Sequence, residues 1–136
     1  MSALTAFPSP GLAGRLSVPG DKSISHRALI MGALVVAGID FRIGVGETRV
    51  DGLLEGEDVM ATAAALRGYG ARIDRAEDGS WRLHGLGVGA LLEPPDVLDL
   101  GNSGTGVRLL LGLAASHPVR SLFTGDASLR RRPMQR

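Results

Sequence analysis

Pro19-Gly20-Asp21-Lys22-Ser23-Ile24-Ser25-His26-Arg27 is the stretch on which the reading of the fold turns. A short run before it, Arg15–Val18, reads as a strand. Ser23 to about Val36 reads as a helix, small and apolar on most faces and so buried. Strand, Gly turn and helix start together make an anion site, because free backbone N–H groups and the positive end of the helix dipole point at one place. That place also holds Lys22, the hydroxyls of Ser23 and Ser25, and Arg27. Ser23 and Arg27 are four apart and share a helix face. Lys22 is the only lysine, against fourteen arginines, which points to a need for a compact ammonium. Taken alone, the stretch reads equally well as a capped helix start with solvated charges.

Composition narrows the classes. The chain has 136 residues, 44% hydrophobic, enough for one modest globular domain or part of a larger one. A net charge of +1 argues against a broad nucleic-acid or membrane footprint. With no cysteine there are no disulfides or thiolate metal sites, and the widely spaced His26, His84 and His117 form no metal-ligand pattern. No cofactor is expected. The first residues lack the basic and apolar segments of a signal peptide, and no apolar run reaches membrane-spanning length. The expectation is a soluble cytoplasmic protein. Twenty glycines against five aromatics indicate tight turns and close backbone approaches.

Further along, residues 1–13 read as a lead-in segment. Ala37–Gly44 alternates Ile39, Phe41 and Ile43 with polar residues, as a strand does, and Thr48–Leu54 reads as another strand. Glu57 to Arg67 reads as a helix, its acidic first turn matched to the dipole and its end set by Gly68 and Gly70. Ala71–Arg75 and Ser80–His84 flank Asp78-Gly79, a hairpin signal, with His84 expected on the exposed face. A Gly/Leu/Pro loop follows, then a strand at Val97–Leu100, a helix at Ser103–Ser116, a strand at Arg120–Thr124, and the basic run Arg130-Arg131-Arg132. Alternating strands and helices mean an α/β architecture.

The opening feature recurs. At a constant offset, Gly20-Asp21 becomes Gly101-Asn102, Arg27 becomes Arg108, and Ala28-Leu29-Ile30 becomes Leu109-Leu110-Leu111. Ser103, Gly104, Thr105 and Gly106 lie between, where glycines admit a ligand to the backbone and Thr105 offers a hydroxyl. Two helix-start sites on a repeated strand–turn–helix unit, with a third cationic cluster at Arg130–Arg132, favour a small, multiply anionic ligand over structural caps. No Gly-x-x-x-x-Gly-Lys-Ser/Thr run is present, so a standard nucleotide pocket is disfavoured.

These motifs resemble those of 5-enolpyruvylshikimate-3-phosphate synthases, the 3-phosphoshikimate 1-carboxyvinyltransferases. Leu16 to Arg27 is similar to the family's first signature, Leu98 to Arg108 to its second, and Gly125 to Met134 to a segment with a substrate-binding Arg-Pro. Gly52 to Val59, together with Ser25-His26-Arg27, resembles the class II bacterial branch. The resemblance implies repeated βαβαββ units, with residues 14–136 an amino-terminal fragment of an incomplete first domain. It implies transfer of the enolpyruvyl group of phosphoenolpyruvate to the 5-hydroxyl of shikimate 3-phosphate, a step toward chorismate and the aromatic amino acids.

By the family pattern, Lys22 would be catalytic and touch both substrates. Ser23, Arg27 and Thr105 would join it on shikimate 3-phosphate. Asn102, Gly104 and Arg132 would join it on phosphoenolpyruvate, with Thr105 in the same turn. Arg108 ranks lower, as an anchor of the second helix. Gly104 stands where glyphosate-sensitive members carry Gly. Partners would be these two small molecules only, and the full-length protein a monomer. Family members are longer and supply carboxylates from a second domain, so this chain alone is expected to be inactive. Extra residues near Ala37–Gly44 depart from the family pattern. The related UDP-N-acetylglucosamine enolpyruvyltransferases fit less well at Lys22-Ser23-x-Ser25-x-Arg27. A non-catalytic truncated remnant is the reading from another class.

Overall fold

The computed structural model describes residues 15–35 and 46–134. Helix α1 (Lys22–Leu34) starts at Asp21, whose carboxylate accepts the Ile24 amide at 2.8 Å. This cap satisfies one of the donors that a helix start leaves open. Strand β1 (Glu47–Val50) follows, then α2 (Glu57–Gly68), with Glu57 and Asp58 in its first turn. Strands β2 (Arg72–Arg75) and β3 (Trp81–His84) form the expected hairpin. Its turn is held by the Asp78 carboxylate, which accepts from both the amide and the hydroxyl of Ser80, and by Gly79 at φ +83°. Then come β4 (Leu98–Asp99), α3 (Gly104–Ala115), β5 (Phe123–Thr124) and a 3-10 turn (Leu129–Arg131).

Strand β3 is central in the first sheet and antiparallel to both β1 and β2. Strands β4 and β5 pair in parallel, which requires a crossover, and α3 supplies it. The order α1-β1-α2-β2-β3 is the body of a βαβαββ unit, and β4-α3-β5 opens another. One core joins them. Leu29 and Ala33 from α1, Val59, Ala63 and Leu66 from α2, Leu83 from β3 and Leu110 from α3 are fully buried. Each buried Leu or Val contributes roughly 1.5–3 kcal/mol. Tyr69, fully buried at the end of α2, donates its hydroxyl proton to Ser121 Oγ at 2.9 Å and ties the first unit to the second.

Several expectations change. Arg15–Val18 is not a strand: it finds no ladder partner among the described residues, and Leu16 and Val18 stand 87% and 76% exposed. The strand–turn–helix repeat is therefore complete only in its second copy. Helix α1 buries one face rather than most, leaving Ile24 and Met31 about two-thirds exposed. The strand expected over Thr48–Leu54 ends at Val50, because Asp51-Gly52 turns with Gly52 at φ +69°. The strands expected over Val97–Leu100 and Arg120–Thr124 shorten to the two residues that pair in each. His84 is half-buried, not exposed. The lead-in at 1–13 and the Ala37–Gly44 strand and insertion lie outside the described residues.

Candidate anion-binding site

Lys22 is the first residue of α1, and its ammonium is in close ion contact with Oδ2 of Asp58 in the first turn of α2. Its side chain remains 55% exposed, while that of Asp58 is 17% exposed. Behind the pair lies His26, fully buried, with Nε2 at 3.7 Å from the same Asp58 oxygen and Nδ1 at 2.9 Å from Thr62 Oγ1. Burial pushes the Asp58 carboxyl up. The Lys22 ammonium, the Val59 amide and His26 outweigh this and hold it below the usual carboxylate range. Burial pushes His26 down from the ordinary histidine value. Asp58 opposes that shift, and Lys22 and Arg27 add to it, so the imidazole is neutral near pH 7.

The second group of candidate residues lies at the start of α3. Ser103 caps the helix by accepting the Gly106 amide at 3.1 Å, and Gly101 takes φ +52° in the turn before it. Asn102 is exposed in that turn. Its Nδ2 donates to Asp126 Oδ2 at 2.6 Å, and its Oδ1 accepts from the Arg132 guanidinium. Arg132 also donates to Ser128 Oγ at 3.2 Å, so the guanidinium stands oriented before any ligand arrives. Asp126 is held below the usual carboxylate range, chiefly by the Leu129 amide, with help from Asn102 and Arg132. Arg108 donates to the carbonyls of Gly104 at 3.1 Å and Pro133 at 3.3 Å, the bonds of an anchor.

The two starts meet in space. Lys22, Glu57, Asp58, Leu100, Gly101 and Asn102 line one cleft of about 340 Å³. Close approach of the helices depends on Gly106, where a Cβ would stand 2.6 Å from Thr62 Oγ1. Arg132 reaches the cleft region through Asn102 and also lines a neighbouring groove of about 600 Å³ with Arg130 and Thr124. Ser23 and Arg27 are exposed on the first turns of α1, where Arg27 Nη1 donates to the Ser23 carbonyl at 3.0 Å. Thr105 is exposed on the first turn of α3, and Gly104 is buried. Ser25, by contrast, is buried, and its hydroxyl accepts the Leu54 amide at 3.0 Å, so it serves the fold.

Sequence reading missed Asp58 and His26 as site residues. From the sequence, Asp58 reads as part of an acidic first turn matched to the helix dipole, and His26 as part of the Ser25-His26-Arg27 motif and as a histidine outside any metal pattern. One signal was present, since Lys22 and His26 are four apart and so share a helix face. Nothing local showed that α2 would lay a carboxylate against both.

Two helix N-termini and Lys22 meet at one cleft, with the oriented Arg132 beside it, on an α/β framework. A family model described as EPSP synthase (3-phosphoshikimate 1-carboxyvinyltransferase) matches residues 8–136, and the chain belongs to that family. The 3-phosphoshikimate 1-carboxyvinyltransferase of Parvibaculum lavamentivorans is 60% identical over 135 residues, 99% of this chain and 28% of the relative. That of Paramagnetospirillum magneticum is 62% identical over 125 residues, 92% of this chain and 26% of the relative. The solved EPSP synthase of Acinetobacter baumannii superposes with a TM-score of 0.78 at 44% identity, covering 89% of this chain and 25% of that one. The chain thus spans about a quarter of the length of the relatives it matches. Among the described residues, no helix is long and apolar enough to cross a membrane.

Proposed function

We propose that this chain supplies part of the substrate surface for moving the enolpyruvyl group of phosphoenolpyruvate onto the 5-hydroxyl of shikimate 3-phosphate. The observation that carries the reading is the single cleft shared by Lys22 at the start of α1 and Asn102 at the turn before α3. In the transfer, the 5-oxygen bonds to C2 of the enolpyruvyl group and the C2–O bond to phosphate breaks, and the hydroxyl proton departs, in the net balance, with the released inorganic phosphate. Lys22 meets the charge that gathers on the phosphate and on the transferring group. An ammonium brought to the developing charge stabilises it electrostatically. Lys22, Ser23, Arg27 and Thr105 hold shikimate 3-phosphate, and Lys22, Asn102, Gly104 and Arg132 hold phosphoenolpyruvate. The guanidinium of Arg132 suits bidentate pairing with an anion.

The same reading carries small-molecule partners only, a cytoplasmic setting, and a monomer at full length. It also carries inhibition by glyphosate at the phosphoenolpyruvate side. The domain division goes with it, residues 14–136 forming part of an enolpyruvyltransferase domain.

The test is a chimaera: a full-length synthase of the family with its matching segment replaced by this chain. Phosphate release from shikimate 3-phosphate and phosphoenolpyruvate is the expected result. Release only when UDP-N-acetylglucosamine is the acceptor, or a folded chimaera with no release at all, would overturn the assignment.

A further inference from the structure

His26 is fully buried, yet its Nε2 has no hydrogen-bond partner among the described residues. An unpaired buried polar atom is costly, so its placement calls for a cause. Facing it at 3.7 Å is Oδ2 of Asp58, which has no partner beyond Lys22. On the other side, Thr62 has one hydroxyl proton and two acceptors within reach. These are His26 Nδ1 at 2.9 Å and the Asp58 carbonyl at 3.3 Å. Distance favours Nδ1. Electrostatics agree, because a proton on Nδ1 would turn the Nε2 lone pair toward a carboxylate. This arrangement favours the Nε2–H tautomer of the neutral imidazole, with that proton aimed at Asp58.

We propose that His26 is a positioning residue whose Nε2–H takes over Asp58 Oδ2 when Lys22 leaves it for a substrate anion. The inference rests on Lys22 meeting substrate, as in the function proposed above. Lys22 is neutralised by Asp58. Drawing the ammonium away would strand a mostly buried carboxylate, and an uncompensated buried charge is strongly destabilising. Closing the gap from 3.7 Å to the roughly 2.8 Å of a charge-assisted bond compensates it. Thr62, wedged beneath the start of α3 at Gly106, keeps the ring from turning away. The imidazole thus lowers the cost of freeing Lys22.

In the chimaeric enzyme, His26→Leu is expected to raise KM for the phosphorylated substrates about tenfold while kcat changes far less. His26→Gln, whose amide N–H can take the place of Nε2–H, restores KM. In an Asp58→Asn background, His26→Leu adds nothing, because no charge is left to compensate. An unchanged KM in His26→Leu, no restoration by Gln, or the same increment in both backgrounds would overturn the proposal. Should His26→Leu fail to fold, nitrogen NMR of the histidine-labelled parent decides instead. An Nε2–H tautomer, with that proton shifting on addition of shikimate 3-phosphate, supports the proposal, and an Nδ1–H tautomer overturns it. A parent chimaera without turnover would sink the functional reading, while the tautomer still reports on His26 by itself.

Discussion

Gly104 lies so close under Arg132 that a Cβ built on it would stand 2.7 Å from Nη1 of the guanidinium and 3.2 Å from Nη1 of Arg108. The residue at this helix start therefore sets where both arginines sit. Gly104→Ala should push Arg132 off Asn102 and misplace the group expected to hold phosphoenolpyruvate. A misplacement on the order of 1 Å can cost up to about 10²-fold, so kcat/KM for phosphoenolpyruvate should fall roughly 10- to 100-fold. The same variant should need more glyphosate for inhibition. Steady-state kinetics on the chimaera check both, and unchanged values would show that Arg132 does not serve that anion.

Gly20 is fixed by the fold rather than by a ligand. A Cβ there would stand 2.1 Å from the Gly52 carbonyl oxygen and 3.0 Å from the Leu54 amide, both backbone. Gly20→Ala must shift the entry to α1 and should cost about 1–3 kcal/mol, the usual range for overpacking. A lowered urea midpoint would record it. An unaltered midpoint would mean that residues 15–21 do not lie against the Gly52 turn.

Acid should weaken the fold in two windows. His26 is lowered by burial from 6.5, so below that pH the unfolded chain takes up a proton that the folded chain refuses. Stability then drops as pH falls from 6.5 toward the folded value. Asp58 is held below 3.8, so its contribution is complete above that pH and is lost as pH falls from there through the lower folded value. Denaturation midpoints should be lower near pH 5.5 than near pH 7.5, and His26→Gln should remove that difference. A variant with the parent's full pH dependence would assign the upper window to another group.

Much of this was legible in the chain itself. The 3.6-residue periodicity of α2, the Asp78-Gly79 turn and the two Gly-Asp/Asn helix starts are local signals, and local signals survive into the fold. Arg15–Val18 failed for the opposite reason: a strand is defined by its partner, and no four residues announce whether one is at hand. Asp58 and His26 escaped for a related cause. Their chemistry arises where α1 crosses α2, a meeting of residues far apart in sequence. The two helix starts that meet at the cleft were thus readable, but the carboxylate paired with Lys22 was not.

Isolated, the 136-residue chain should release no phosphate from the two substrates, because it spans only about a quarter of the relatives' length. An assay on the purified chain checks this, and turnover by the chain alone would mean that the reaction needs nothing beyond these residues.

The most direct test of the account is Lys22→Met in the chimaeric synthase. Lys22 is more than half exposed, but the change leaves Asp58 without its partner, so circular dichroism and the urea midpoint must first show that the variant folds. Removing the ammonium that meets the developing charge should lower kcat roughly 10²–10³-fold. A folded Lys22→Met enzyme that releases phosphate at the parent rate would contradict the claim that this lysine carries the chemistry.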